Sequence, residues 1–378
     1  MKKQASCIKI SLSLIAFYFS GALSAVLSNV LFHFEAEGYH HIYKDFRKPW
    51  IQVWGTFLAM VFLIFGTPIF NKCRCKNKIP RKSMDGWIIF RKVSIPTIFA
   101  LISTILSSIA YLYLAPSIWQ MFRGSTLIFT GFTNRIFHHK PFDIPDVFGI
   151  FLTFIGLIFV GASSVITGTF GQTLNYGSSI TRELISFVLV FISQAFHSIQ
   201  SIIEEKIFRD TDAIEYEVAS YEGIWGLFFC TFIMMPIANI IPESSGEGFF
   251  EQSIESIYML FHTWKLLVIF ILYIILIAVF NITFIVVTTF STPKERNICD
   301  ALRPIAVWVF SIMINYFFPI YRAGEPASLF SLIEIVGFIL MFLGSCMYNR
   351  LFKFTCCHKA KISTIQSIDI PLIDSYGM

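Results

Sequence analysis

The chain has 378 residues, of which 55% are hydrophobic and only 14% charged, with a net charge of +5. A soluble domain carries about 25% charged residues, so a water-soluble globular fold is excluded. A surplus of +5 does not point to a nucleic acid partner either, and a membrane solvent accounts for the composition.

Apolar runs of about 20 residues, long enough to cross a hydrocarbon core of roughly 30 Å as a helix, recur along the whole chain. They fall at 10–31, 51–70, 95–114, 117–137, 147–166, 184–203, 218–241, 266–290, 301–318 and 329–348. The pattern predicts an all-α integral membrane protein with ten transmembrane helices. The first run follows Lys2, Lys3 and Lys9 and has small residues near Ala22 and Ala25, as a signal peptide does. It is long for a signal core and is read as the first span.

Cytosolic loops of membrane proteins are enriched in Lys and Arg. With the N-terminus placed inside, that side collects 21 of the 29 basic residues, among them Lys72, Arg74, Lys76, Arg81, Lys82 and Lys353. The opposite side receives Lys44, Arg47, Lys48, Arg182, Lys265 and Arg322, and Arg123 and Arg303 fall inside apolar runs. Both termini are therefore expected in the cytosol. Cys7, Cys73, Cys75, Cys356 and Cys357 then lie on the reducing side and Cys230, Cys299 and Cys346 in or beside spans, which leaves no lumenal disulfide. Unmodified thiols are the simplest reading of the cytosolic cysteines, with palmitoylation of those flanking spans as the alternative.

Aligning Arg123 with Arg303 sets RGSTLIFTGFTNRIF against RPIAVWVFSIMINYF, and Gly149 and Gly156 share the seven-residue spacing of Gly337 and Gly344. This predicts two five-helix repeats, residues 1–183 and 184–350, followed by a cytosolic tail, 351–378. An odd number of spans per repeat inverts the second half across the membrane. Gly at that spacing also permits close helix packing without any repeat. Two loops stand out, the basic segment from residue 71 to 92 and an acidic one with Glu243, Glu247, Glu251 and Glu255. Within the latter, FFEQSIESIYMLF reads as a short amphipathic helix with Phe249, Phe250, Ile254, Ile257 and Tyr258 on the bilayer side, or as a solvated loop.

A charge inside the membrane is costly and tends to face a cavity or a partner. Arg123 lies seven residues after Pro116, roughly 10 Å along a helix, and shares a face with Gln120, Thr130 and Asn134. Arg303 is its counterpart, with Asp300 one turn earlier and Ser311 and Asn315 further along. Two guanidinium groups beside one cavity bind a phosphate, sulfate or carboxylate in bidentate fashion; ion pairs that only lock helices together are the competing reading. The sixth run carries a second stripe, Gln194, His197, Ser201 and Glu204. Proton coupling at His197 and Glu204 competes there with helix packing and interfacial anchoring. Glu222 and Glu334 begin their spans, and Glu222 is taken as a salt-bridge or substrate partner. The substrate-binding set expected is thus Arg123, Gln120, Arg303, Asp300, Gln194 and Glu222.

Catalytic signatures are missing: there is no His-Glu-x-x-His, Gly-x-Ser-x-Gly, P-loop or Rossmann fingerprint. The pairs His40–His41 and His138–His139 fall on opposite sides of the predicted membrane and share no metal. No enzyme, metal or cofactor is expected; the partners expected are a small-molecule substrate and membrane lipids, and a homodimer is left open.

QMFRGSTLIFTG at 120–131, EEK at 204–206, EG at 222–223 and DALRPIAVW at 300–308 together resemble the solute carrier family 35 F-type proteins. These belong to the drug/metabolite transporter superfamily with its EamA-like and nucleotide-sugar-transporter-like members. The resemblance implies ten helices in two inverted bundles, the drug/metabolite transporter fold, alternating access, and residence in the Golgi or the lysosome and vacuole. KERNICDALR stands where sugar-nucleotide carriers have a Gly-Ala-Leu-Asn-Lys-like motif, so nucleotide sugars are not singled out. A more distant similarity to chloroquine-resistance-type vacuolar carriers lacks their cysteine-bearing lumenal loop. The function expected is secondary-active carriage of a small polar, anionic metabolite, nucleotide-sugar- or organic-phosphate-like, across an endomembrane. The alternatives are a proton-coupled exporter of amino acids, peptides or basic compounds, and a receptor or scaffold that does not transport. Asp369, Leu372 and Ile373 form an acidic-dileucine-like arrangement in the tail, a sorting signal or a chance match.

Overall fold

The computed structural model describes residues 2–38, 41, 43–65, 86–137, 139, 141–170, 180–211, 213–240, 252–290, 293–317 and 331–351, and of 2–10, 167–170, 289–290 and 293–298 the backbone only. Several expected features lie outside the described residues: the basic segment from 71 to 85, Glu243, Glu247, Glu251, Phe249, Phe250, His40, His138, the cysteines at 73, 75, 356 and 357, and the tail motif at Asp369, Leu372 and Ile373.

The architecture is an all-α, multi-pass bundle. In chain order the helices are α1 (Lys2–Phe32), α2 (Pro49–Val61), α3 (Gly86–Tyr111), α4 (Pro116–Arg123), α5 (Thr126–Phe137), α6 (Ile144–Phe170) and α7 (Ile180–Thr211). They continue with α8 (Glu215–Phe229), α9 (Met235–Ile240), α10 (Ser253–His262), α11 (Trp264–Phe290), α12 (Pro293–Phe317) and α13 (Ser331–Tyr348). A single π-helical turn, Cys230–Met234, joins α8 to α9.

Among the described residues seven helices are long and apolar enough to cross a membrane: Ser11–Phe32, Gly86–Tyr111, Ile144–Ile166, Ile180–Thr211, Glu215–Ile240, Trp264–Thr288 and Ser331–Tyr348. Each overlaps an expected span. The other three runs differ for physical reasons. The second forms the apolar but short stretch Pro49–Phe65. The ninth is a full-length helix, α12, whose Asp300, Arg303 and Asn315 make it more polar than the seven. The fourth is broken: α4 ends at Gly124, where Gly124 and Ser125 donate to the carbonyls of Met121 and Phe122 three residues back, at 2.8 and 3.0 Å, in place of α-helical bonds. A methyl group on Gly124 would stand 2.5 Å from Met341 Cε, so the break sits where α4 presses against α13.

Helix pairing places the core. α6 packs along α13, α3 along α7 and α8, α1 along α11 and α12, and α2 along α8 and α11. Hydrogen bonds reinforce this packing: Ser103 donates to the Ser193 carbonyl at 2.8 Å and Tyr111 to the Ala25 carbonyl at 2.7 Å. Between α1 and α2 a two-stranded antiparallel hairpin, Glu35–Glu37 with Tyr43–Asp45, is clasped to α10 by Lys44 and Lys48 on Glu255, at 2.5 and 3.6 Å, and by His262 on Glu37 at 3.3 Å. The expected amphipathic helix of the acidic loop is thus α10, with Ile254 and Ile257 exposed and Met259 and Leu260 buried.

Candidate functional site

Arg123 sits where regular helix is interrupted. The α4–α5 break leaves Arg123 as the last residue of a helix and turns its side chain over the Trp119 ring, 5.1 Å from the centroid. Arg123 has no ion-pair partner among the described residues, whereas Arg303 reaches Asp300 one turn away on α12, at 3.4 Å. The Arg303 guanidinium also lies over Phe280, 5.5 Å from its centroid. Pro304 follows immediately inside α12 and has no N–H to donate one turn back, which loosens the helix at the arginine.

Both arginines line one cavity of 240 Å³, together with Gln120, Gln194, His197 and Asp300. Arg123, His197, Asp300 and Arg303 also form a wall of a second cavity, of 300 Å³, which holds Glu204 and Glu222. The six residues of the expected substrate-binding set, with His197 and Glu204, therefore all line one or both of two adjoining chambers. Gln120 is 5% exposed, and its Oε1 has no hydrogen-bond partner among the described residues.

Some of these side chains are already engaged by the protein. Gln194 accepts from Thr126 Oγ1 at 2.6 Å and donates to Ser193 Oγ at 2.9 Å, which ties α5 to α7. Glu222, buried on α8, accepts from Gln200 Nε2 at 2.6 Å, and the same nitrogen donates to Glu204 at 2.7 Å. Gln200 Oε1 meets His197 Nδ1 at 3.1 Å. His197, Gln200, Glu204 and Glu222 are thus one hydrogen-bonded chain between α7 and α8. Asn134, placed by its spacing on the arginine face, lines neither chamber.

No family model matches the chain. It is 23% identical over 343 residues to solute carrier family 35 member F6 of Rattus norvegicus, covering 88% of this chain and 87% of that protein. The Homo sapiens member F6 is 24% identical over 314 residues, 82% of this chain and 80% of the relative. An uncharacterized protein of Schizosaccharomyces pombe is 25% identical over 277 residues, 72% and 79% of the two chains. Over most of its length the chain is thus similar to F-type solute carrier 35 proteins.

Three polar residues outside the expected set hold the site's helices together, and of these Thr126 lines the first chamber. Gln200 is the bridge between carboxylates, and it is three residues after His197 and four before Glu204, a helical spacing that marks it in retrospect. Thr126, the first residue after the break, lines the first chamber and bonds Gln194. Glu334 is buried and accepts from Ser117 Oγ at 2.7 Å, joining the start of α4 to α13.

Proposed function

We propose that the chain is a secondary-active carrier that moves a small polar, anionic metabolite, of organic-phosphate or nucleotide-sugar type, across an endomembrane by alternating access. The observation that carries this reading is the pair Arg123 and Arg303, which approach one chamber from α4 and α12, Arg123 at the α4–α5 break and Arg303 beside Pro304 within the continuous helix α12. Planar guanidinium groups present paired N–H donors suited to phosphate and carboxylate. The names of the F6 relatives support carriage rather than catalysis.

Ten spans in two inverted repeats, 1–183 and 184–350, follow if α2, α4 with α5, and α12 are counted with the seven long helices. Helix pairing supports the count. Exchanging each span with the one five places on turns the α3–α7 pair into α11–α1, the α3–α8 pair into α11–α2, and leaves α6–α13 and α2–α8 unchanged, and all of these pairs occur. Both chambers extend toward the helix ends that adjoin the C-terminal segment, with Tyr348 and Asn349 in the first and Glu215 and Thr288 in the second. With both termini in the cytosol, as the loop charges favour, the substrate enters or leaves on the cytosolic side in this conformation.

The hydrogen-bonded chain His197–Gln200–Glu204/Glu222 favours a second reading, proton-coupled export of amino acids, peptides or basic compounds. Uptake into proteoliposomes across nucleotide sugars, nucleotides, organic phosphates, amino acids and peptides separates the two, comparing wild type with Arg123→Ala. The anion reading expects an organic phosphate or nucleotide derivative to enter and Arg123→Ala to abolish its uptake. Unchanged uptake in the variant removes Arg123 from the site, and uptake confined to basic compounds under a pH gradient selects the second reading.

A further inference from the structure

We infer that Trp119 is the residue that positions Arg123 for the solute: its indole ring holds the guanidinium in place and leaves the N–H groups to bind the anion. This rests on the anion reading above and gives a role to a residue outside the expected set.

Among the described residues the Arg123 side chain makes no ion pair and no hydrogen bond, and it rests on the Trp119 ring, 5.1 Å from the centroid. The two residues are four apart on α4, a spacing that lays one side chain over the other. An indole attracts a cation through the negative face of its π-system and supplies no lone pair, so the five N–H donors of the guanidinium are left for other acceptors. The two contacts do not compete. A carboxylate partner would occupy those donors itself, and the solute would have to displace it.

Arg303 shows the difference. It too lies over a ring, Phe280, at 5.5 Å, but Asp300 reaches its Nη1 at 3.4 Å, and its Nε is buried without a partner. None of the Arg123 nitrogens is sealed in that way. Arg123 is therefore the more available donor of the pair.

The ring itself is fixed. Its N–H donates to the carbonyl and hydroxyl oxygens of Ser107 at 3.1 and 3.0 Å, and it stacks on Tyr111 with centroids 4.5 Å apart. Tyr111, 2% exposed, donates in turn to the Ala25 carbonyl at 2.7 Å. Trp119 is thus anchored to α3 and, through Tyr111, to α1. A loose arginine side chain gives up rotamer freedom when it meets the solute, and one held beforehand does not. Held on the ring, Arg123 also keeps clear of Asp300, which lines the same two chambers and would otherwise compete for it.

The test is a melting-temperature titration of the full-length protein in detergent at pH 7 with glycerol 3-phosphate and with inorganic phosphate. Trp119→Leu is expected to raise the concentration of half response about 10-fold, the ratio that about 1.4 kcal/mol of binding represents. Trp119→Phe keeps a ring, and a rise of only about 3-fold is expected, since the weaker face of Phe still attracts the cation. Both variants lose the bonds to Ser107, so loss of that anchor alone would affect them equally. Tyr273→Phe is the control for stability. It removes the bond to Thr56 Oγ1 between α2 and α11, lines neither chamber, and is expected to lower the unliganded melting temperature with the half-response concentration unchanged. Tryptophan fluorescence needs no Leu variant: either probe is expected to alter the emission of wild type by neutralising the cation over the ring, and Trp119→Phe to remove that change.

An unchanged half-response concentration in Trp119→Leu overturns the inference, as does a rise in Trp119→Phe equal to that in Trp119→Leu, a rise of that size in Tyr273→Phe, or an emission change that survives Trp119→Phe. Arg123→Gln tells the two layers apart. If it abolishes the response while Trp119→Leu keeps the wild-type value, the anion reading stands and the role of Trp119 falls. If it leaves the response unchanged, or if wild type responds to neither probe, the anion reading falls and the role of Trp119 with it.

Discussion

Gly156 on α6 and Gly337 on α13 lie back to back: a methyl group on Gly156 would stand 2.6 Å from the Gly337 carbonyl oxygen, and one on Gly337 2.8 Å from that of Gly156. Seven residues away on each helix, Gly149 and Gly344 repeat the contact, each placing a methyl group 2.7 Å from the other's carbonyl oxygen. The helices therefore touch backbone to backbone over two turns, a packing available only to residues without a Cβ. Gly156→Leu or Gly337→Val must separate the pair. Each is expected to destabilise the protein by about 1–3 kcal/mol or more, read as a lower melting temperature of the purified protein in detergent. Gly161→Ala is the control, because its methyl group would meet only the tip of the Phe122 ring, at 3.3 Å, and that side chain can yield. An equal loss in the control would show that close backbone approach is not what these glycines provide.

The Ser117–Glu334 bond makes a second, sharper prediction. Both residues are buried, and Ser117 Oγ donates to Glu334 Oε1 at 2.7 Å where α4 begins. Ser117→Ala removes a donor from a buried carboxylate, which is expected to cost about 1–3 kcal/mol. Glu334→Gln keeps an acceptor for the serine and should cost less. The order of the two in thermal unfolding is the measurement; Glu334→Gln as damaging as Ser117→Ala would indicate that charge, not the hydrogen bond, matters at this position.

Outside the spans, the Glu255 clasp predicts a pH dependence. Burial pushes its carboxyl up, but hydrogen bonding to Lys44 and the positive charge of Lys48 and Lys44 outweigh burial and hold it below the ordinary carboxylate range. A carboxyl depressed in the folded state contributes stability above its unfolded value, near pH 4, and loses it as pH falls through the still lower folded value. The hairpin at 35–45 and α10 are therefore expected to stay associated from pH 7 down to about pH 4 and to loosen below that. Hydrogen exchange of the two segments measures it. Glu255→Gln should show raised exchange in both already at pH 7, and protection in the variant equal to wild type would remove the clasp from consideration.

Much of this was legible in the sequence because a bilayer leaves few choices. Runs of apolar residues gave seven of the spans, since backbone groups in lipid must bond within their own helix. Arg123, Arg303, Asp300, Gln120 and Gln194 were legible for the same reason, as ions and amides out of place. The break at Gly124 was not, because RGST lies inside an otherwise unbroken run and the helix yields only where α13 presses on it. Gln200 and Thr126 were overlooked because an uncharged polar residue in a long helix has no cost high enough to mark it until its partners are known. The glycine spacing was read both as a trace of the repeat and as a packing device; the contacts of Gly156 with Gly337 and of Gly149 with Gly344 establish the second directly.

Gln200 offers the last prediction. Its Nε2 serves two carboxylates on neighbouring helices, while its Oε1 faces His197 Nδ1. Gln200→Leu keeps the volume and removes the donor, so Glu222, buried at 6% exposure, loses its bond across the α7–α8 interface. The expected cost is about 1–3 kcal/mol, the usual penalty for stripping a partner from a buried polar group. Because the three residues act through one nitrogen, Gln200→Leu and Glu222→Gln should not add: once Glu222 is neutral, losing the amide matters less. A double-mutant cycle on melting free energy, with coupling of about 0.5 kcal/mol or more, is the expected result. Strict additivity would mean that the amide and the carboxylate contribute independently, and the chain from His197 to Glu222 would not be a single unit.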